Sequence, residues 1–177
     1  MLKLCPYEKC PIYESRSFIF RLVEESDASE LLKCYSDAAA VKLMNSDTCT
    51  SDFHYATLEE MLDCIHLWLA EYDKGGFVRF SVVERETDKP VGTIEIFGGE
   101  YGVLRIDLLS EYEKQKYILE IIDLSVKSFY DEFNINKITT KAIPEAAERL
   151  TVLKQFGFEK DNNFRPGLSY YSRERRL

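Results

Sequence analysis

Three apolar segments, "FVRFSVVER" (77–85), "VGTIEIFGG" (91–99) and "GVLRIDLL" (102–109), carry polar residues at alternate positions. Side chains two apart in a strand share a face, so Arg79 goes with Ser81, Thr93 with Glu95, and Arg105 with Asp107. If the three strands are neighbours and these faces coincide, a polar stripe crosses a sheet otherwise built of Ile, Val and Phe. A carboxylate in such a stripe, Glu95 or Asp107, is a candidate general base that takes a proton directly or through water. The competing reading is cross-strand ion pairing on a solvated sheet face, the ordinary pattern of a half-buried antiparallel sheet.

A polar loop, "MNSDTCTSDFHY" (44–55), holds His54 and Tyr55. An imidazole can exchange a proton near neutral pH, but it can equally cap the next helix or pack against it. Five cysteines are present, Cys5, Cys10, Cys34, Cys49 and Cys64. The odd count points to reduced thiols. A zinc site from Cys5, Cys10, Cys49 and His54 can be drawn, but structural zinc usually uses a tighter knuckle than C-x4-C. Cys34 and Cys64 read as small core residues, and no metal is expected.

The elements that would position these residues follow from pattern. "FIFRLV" (18–23) reads as a strand. Asp27 with Glu30 is capping-box-like, and Thr57 with Glu60 is a proper capping box. Leu58, Met61, Leu62, Ile65, Leu69 and Tyr72 form one helical stripe, ended by Gly75 and Gly76. "ETDKP" joins two strands as a hairpin. A long helix follows the third strand, with Ile118, Ile121, Ile122, Val126, Phe129 and Phe133 inward. Ser110 and Glu113 read as its capping box, with Glu111 and Glu113 favoured by the helix dipole. "KITTKAI" (137–143) is a strand, Pro144 opens a helix, Gly157 closes it, and "LSYYSRE" (168–174) is a last strand. The order is β-α-α-β-β-β-α-β-α-β. The crossover helix suggests one parallel pair. Residues 1–17 are expected to be an arm packed on a single domain of 18–177.

The chain has 177 residues, 45% of them hydrophobic, enough for one domain with a sizeable core. Net charge is −8, and pI is near 4.9. That argues against nucleic-acid binding, which needs a basic face, and suits a cationic or amine-bearing partner. The tail "SRERRL" is a local basic exception. No apolar run approaches a membrane span, and no signal-peptide core is visible, so a cytoplasmic protein without membrane association is expected.

Three stretches, "FRLVEESDASELLKCYSD" (20–37), "VVERETDKPVGTIEIF" (82–97) and "AERLTVLKQFGFEK" (147–160), resemble the GNAT superfamily of acyl-CoA-dependent N-acetyltransferases. The resemblance runs from residue 18 to about 172 and is greatest to the branch that acetylates ribosomal-protein N-termini. It implies an α/β fold with a central mixed, mostly antiparallel sheet flanked by helices. It also implies acetyl-CoA as co-substrate and a protein N-terminus or small amine as acceptor, in a monomer or homodimer. The family's strand before the long helix splays, and its backbone pairs with the pantetheine arm, which here falls on Leu108 and Leu109. The helix N-terminus then holds the pyrophosphate through an Arg/Gln-x-x-Gly-x-Gly/Ala loop. That loop falls on residues 113–118, where Glu113, Lys114, Lys116 and Ile118 stand in place of the family's residues. Ser110, Lys114 and Lys116 remain as candidate cofactor contacts.

A family Asn that contacts pantetheine is Ala146 here. A family Tyr that serves as general acid is Leu153, for which Tyr170 or Tyr171 would have to substitute. His54, Tyr55, Arg79 and Arg105 fall where the family builds acceptor walls, and Glu95 or Asp107 would deprotonate the acceptor. Three functions compete: an N-acetyltransferase with an altered CoA site, a GNAT-fold module that binds a ligand or partner without acyl-CoA, and a zinc-supported interaction protein.

Overall fold

A computed structural model describes residues 5–49, 51–97, 99 and 101–176. The strands are β1 (Tyr13–Glu14), β2 (Phe18–Leu22), β3 (Val78–Glu84), β4 (Lys89–Phe97), β5 (Tyr101–Leu108), β6 (Lys137–Lys141), β7 (Glu159–Lys160) and β8 (Tyr170–Glu174). The helices are α1 (Ala28–Tyr35), α2 (Ala38–Val41), α3 (Leu58–Asp73), α4 (Gln115–Glu132) and α5 (Ala147–Gln155). One sheet has the order β1-β2-β3-β4-β5-β6-β8-β7. Every neighbouring pair is antiparallel except β5 with β6. The mixed, mostly antiparallel sheet flanked by helices is the one the sequence implies.

Alternation divides the sheet's two faces. Phe80, Val82, Ile94, Ile96, Leu104, Ile106 and Leu108 pack against Ile118, Ile121, Ile122 and Phe129 of α4. The opposite face carries Arg79, Thr93, Glu95 and Asp107. It lies beneath a second apolar cluster that includes Leu31, Tyr35, Met61, Ile65 and Trp68 of α1 and α3. The expectation of a solvated polar face is therefore corrected, because two amphipathic helices bury it.

Two backbone features shape the site. The β3–β4 register shifts between Val82 and Val83, where Gly92 faces Val82 and Pro90 faces Val83. Gly92 has φ +156°, and a Cβ on it would stand 2.1 Å from the Asp107 carbonyl oxygen. Only glycine lets β4 and β5 approach there. Second, β5 and β6 part company. Their last paired residues are Leu104 and Thr140, while β5 continues beside β4 to Leu108. The strands splay over the second half of β5.

The Ser110–Glu113 capping box does not form. Ser110–Tyr112 is a separate 3-10 turn, and α4 begins at Gln115 with Lys114 as N-cap and no side-chain cap bond. Tertiary partners override the local pattern: the Ser110 amide donates to Asp37 at 3.1 Å, and Glu113 is drawn to Arg149. Asp27 stands at the N-cap position of α1, but its side chain makes no cap bond there. Its carboxylate accepts from Arg21, from Ser81 and from the Glu24 amide. The Thr57–Glu60 box on α3 does form.

The 44–55 loop is less polar in place than in composition, since Met44, Asn45 and Phe53 are buried. Helix α5 starts at Ala147, three residues after Pro144. In the arm, Tyr13 packs against Phe80 and Phe129, and Ser15 and Ser17 bond Glu120.

Candidate functional site

Arg79 is the centre of the buried polar row. Its Nη2 donates to Glu95 at 2.5 Å, and its Nη1 donates to Asp107 at 2.8 Å and to Thr93 at 3.0 Å. All four residues are at most 1% exposed. The guanidinium stacks on Trp68, with 4.3 Å from its carbon to the ring centroid. Burial alone would lower the Arg79 pKa, but Glu95, Tyr35 and Asp107 outweigh it and hold the value above that of an ordinary arginine. Tyr35 donates to Asp107 at 2.8 Å, and burial, with Asp107 beside it, pushes the phenol well up. Glu95 meets a second cation, Arg105, at 3.3 Å. Arg105 also donates to the Cys49 sulfur at 3.1 Å and to the Asp47 carbonyl at 3.0 Å, which ties the loop to β5.

Above this row lies a cavity of ≈ 720 Å³ between α3, the loop and strands β3 to β5. Its walls are largely aromatic: Phe53, Tyr55, Trp68, Phe77 and Phe97. Glu95, Arg79 and Arg105 form its floor, and Glu60, Asp63, Glu71 and His54 also line it. Cys64 accepts from Tyr55 at 3.2 Å, and burial raises its thiol to about 11. The cavity thus unites Glu95, Arg79, Arg105, His54 and Tyr55. Asp107 lies under Arg79 and does not line it. Its Oδ2 is taken by Tyr35 and Arg79, while its Oδ1 has no partner among the described residues.

The splay between β5 and β6 holds Arg149, which pattern reading missed. This side chain is 1% exposed. Its guanidinium donates to the Ile106 carbonyl at 3.0 Å, two residues beyond the last β5–β6 pair, to the Leu43 carbonyl at 3.2 Å, and to Glu113. The only hint in the sequence is a charge close to the apolar stripe of α5. Leu109 is turned away from the splay, with its amide bound to the Val91 carbonyl. The segment after α2 is fixed nearby: Asp47 accepts from Lys141 at 2.7 Å and from Tyr170 at 2.9 Å. Burial would raise Asp47, but these two bonds outweigh it and its pKa is lowered.

At the start of α4, Lys114 and Lys116 are exposed, and the first turn has no side-chain cap. Among the described residues, no group of three or more His, Cys, Asp or Glu is placed to hold a metal ion. No helix there is long and apolar enough to cross a membrane.

The profile of the acetyltransferase (GNAT) domain matches residues 17–159. The chain belongs to the GNAT family. The GNAT domain is 26% identical over 149 residues to an uncharacterized N-acetyltransferase, p20, of Bacillus licheniformis, covering 82% of this chain and 80% of p20. Its fold is that of the ribosomal-protein-S5-alanine acetyltransferase from Vibrio fischeri, with a TM-score of 0.72 at 17% identity over 93% and 97% of the two chains. RimJ of Mycobacterium smegmatis, solved with a CoA disulfide, aligns at a TM-score of 0.70 and 13% identity over 89% and 81%.

Proposed function

We propose that this GNAT domain transfers an acetyl group from acetyl-CoA to an amine held in the aromatic cavity. The observation that carries the reading is Glu95, a carboxylate at the cavity floor fixed by Arg79 and Arg105. An incoming ammonium meets one negative group whose position is set on two sides. Glu95 anchors it and receives its proton, leaving the nitrogen lone pair free to attack. The arginines keep Glu95 from swinging away. Trp68 and Phe53 exclude water around it.

Bound acetyl-CoA would supply the acyl thioester. The residues fit its frame in two places. The first-turn amides of α4 lack a side-chain cap and lie beside Lys114 and Lys116, a setting that favours an anion. The splay leaves β5 backbone beyond Leu104 without a β6 partner, and at its edge the Thr140 hydroxyl is buried without a partner among the described residues. Arg149 must first leave the Ile106 carbonyl. The protein neighbours in the fold make a protein N-terminus one acceptor class and a small amine the other.

The test is acetyl transfer to an amine panel, followed by release of the CoA thiol. Glu95→Gln removes the proton acceptor at nearly unchanged volume, keeps an oxygen for one of the two arginines, and should lower turnover about 10²-fold or more, with the fold checked by circular dichroism. Equal turnover would remove Glu95 from the reaction. A second reading is an amine-binding module that makes no use of acyl-CoA. The specific observation favouring it is Arg149 lying in the splay.

A further inference from the structure

We infer that the cavity selects a primary amine carried on an aromatic body and bearing no carboxylate, which names the acceptor class for the transferase reading and rests on it. The argument starts from charge. Four carboxylates line the cavity, Glu60, Asp63, Glu71 and Glu95, against two guanidiniums and the Lys74 ammonium paired with Glu71, and Arg79 is further balanced by Asp107 beneath it. The entering molecule therefore meets net negative charge.

The two arginines are largely committed to their neighbours. Arg79 bonds Asp107 and Thr93 through Nη1 and Glu95 through Nη2, and its side chain is 1% exposed. Arg105 gives Nη1 to Cys49 and Glu95 and one N–H of Nη2 to the Asp47 carbonyl. Both Nε atoms are unpartnered among the described residues but buried away from solvent. An α-carboxylate entering beside the amine would face Asp63 and Glu71, with both floor guanidiniums already tied to carboxylates. A free amino acid is thereby rejected, whereas an amine or a peptide N-terminus with its carboxyl group blocked is accepted. The walls set the body of the ligand. Phe53, Tyr55, Phe77 and Phe97 offer ring faces and edges, which favour an aromatic group by offset or edge packing.

Trp68 is the chain's single tryptophan and lines the cavity, so its fluorescence reports occupancy without any acyl donor. The experiment titrates four probes into the native chain: phenethylamine, phenylalanine, 3-phenylpropionate and a tripeptide amide with N-terminal Phe. Phenethylamine or the peptide amide should saturate the signal, and whichever binds tighter identifies the source of the amine. Phenylalanine should bind about tenfold more weakly, and 3-phenylpropionate should give no saturation. The paired change Asp63→Asn with Glu71→Gln spares the Glu60 cap and should narrow the gap between phenethylamine and phenylalanine. Phenylalanine binding as tightly as phenethylamine, or no saturable signal with either amine, would overturn the inference. Amine binding without acetyl transfer would instead overturn the transferase reading and leave this one standing.

Discussion

Arg79 holds two carboxylates that are at most 1% exposed, so its removal is more costly than the loss of its bonds. Arg79→Met leaves Asp107 buried without a cation and Glu95 with Arg105 alone, and it should destabilise the fold by about 3–5 kcal/mol in urea denaturation. Replacing the set with Arg79→Met, Glu95→Leu and Asp107→Leu should recover most of that loss, because the ions leave together. A single variant as stable as the native chain would show that Arg79 does not compensate these carboxylates. The polar positions were legible strand by strand, since alternation pairs Arg79 with Ser81, Thr93 with Glu95 and Arg105 with Asp107, while the register of β3, β4 and β5 brings the three faces together. Their burial was not, because it depends on where α1 and α3 dock. The Arg149–Glu113 pair was illegible for a similar reason. Local pattern assigns Glu113 to a helix cap, and only the tertiary fold brings it to α5.

At the level of elements, the site depends on β4 and β5 running close together and on β5 and β6 parting. Gly92→Ala forces a Cβ into the Asp107 backbone, whereas Gly102→Ala meets the Cδ1 end of the Ile135 side chain at 2.2 Å, which can move. Gly92→Ala should therefore cost several-fold more stability than Gly102→Ala in parallel thermal melts. Equal costs would mean that the strands can separate at Gly92 without penalty. The hairpin, the crossover helix and the splay all followed from periodicity and family resemblance. The start of α4 did not. A sequence with S-x-x-E before an apolar stripe reads as a capped helix, yet the Ser110 amide is committed to Asp37 and α4 starts at Gln115. The obstruction that the capping box would have placed at the helix end is absent, and the obstruction that exists, Arg149, lies in the splay.

For the whole molecule, stability should fall in acid. Asp37 is raised by burial but lowered more by bonds from Ser110, Ala39 and Ala40. Asp161 is lowered by Ser172 and by backbone amides, and Asp47 by Lys141 and Tyr170. Depressed folded-state values mean that their stabilisation is fully present above the unfolded carboxylate value of about 4 and is lost as pH falls through the folded values. Melting temperatures taken from neutral pH downward should hold until about pH 5 and then drop, and Asp47→Asn should flatten part of that drop. An acid limb unchanged by Asp47→Asn would remove that carboxylate from the balance. In the proposed transferase, the aromatic cavity would take the acceptor and Arg149 occupies the splay where the acyl donor would lie, so acyl-donor binding decides whether that proposal holds. Calorimetric titration with desulfo-CoA measures it directly, on the native chain and on the Arg149→Ser, Glu113→Gln variant. The account predicts weak saturable binding to the native chain and binding about tenfold tighter to the variant, whose splay is open. No binding heat from either protein would contradict it.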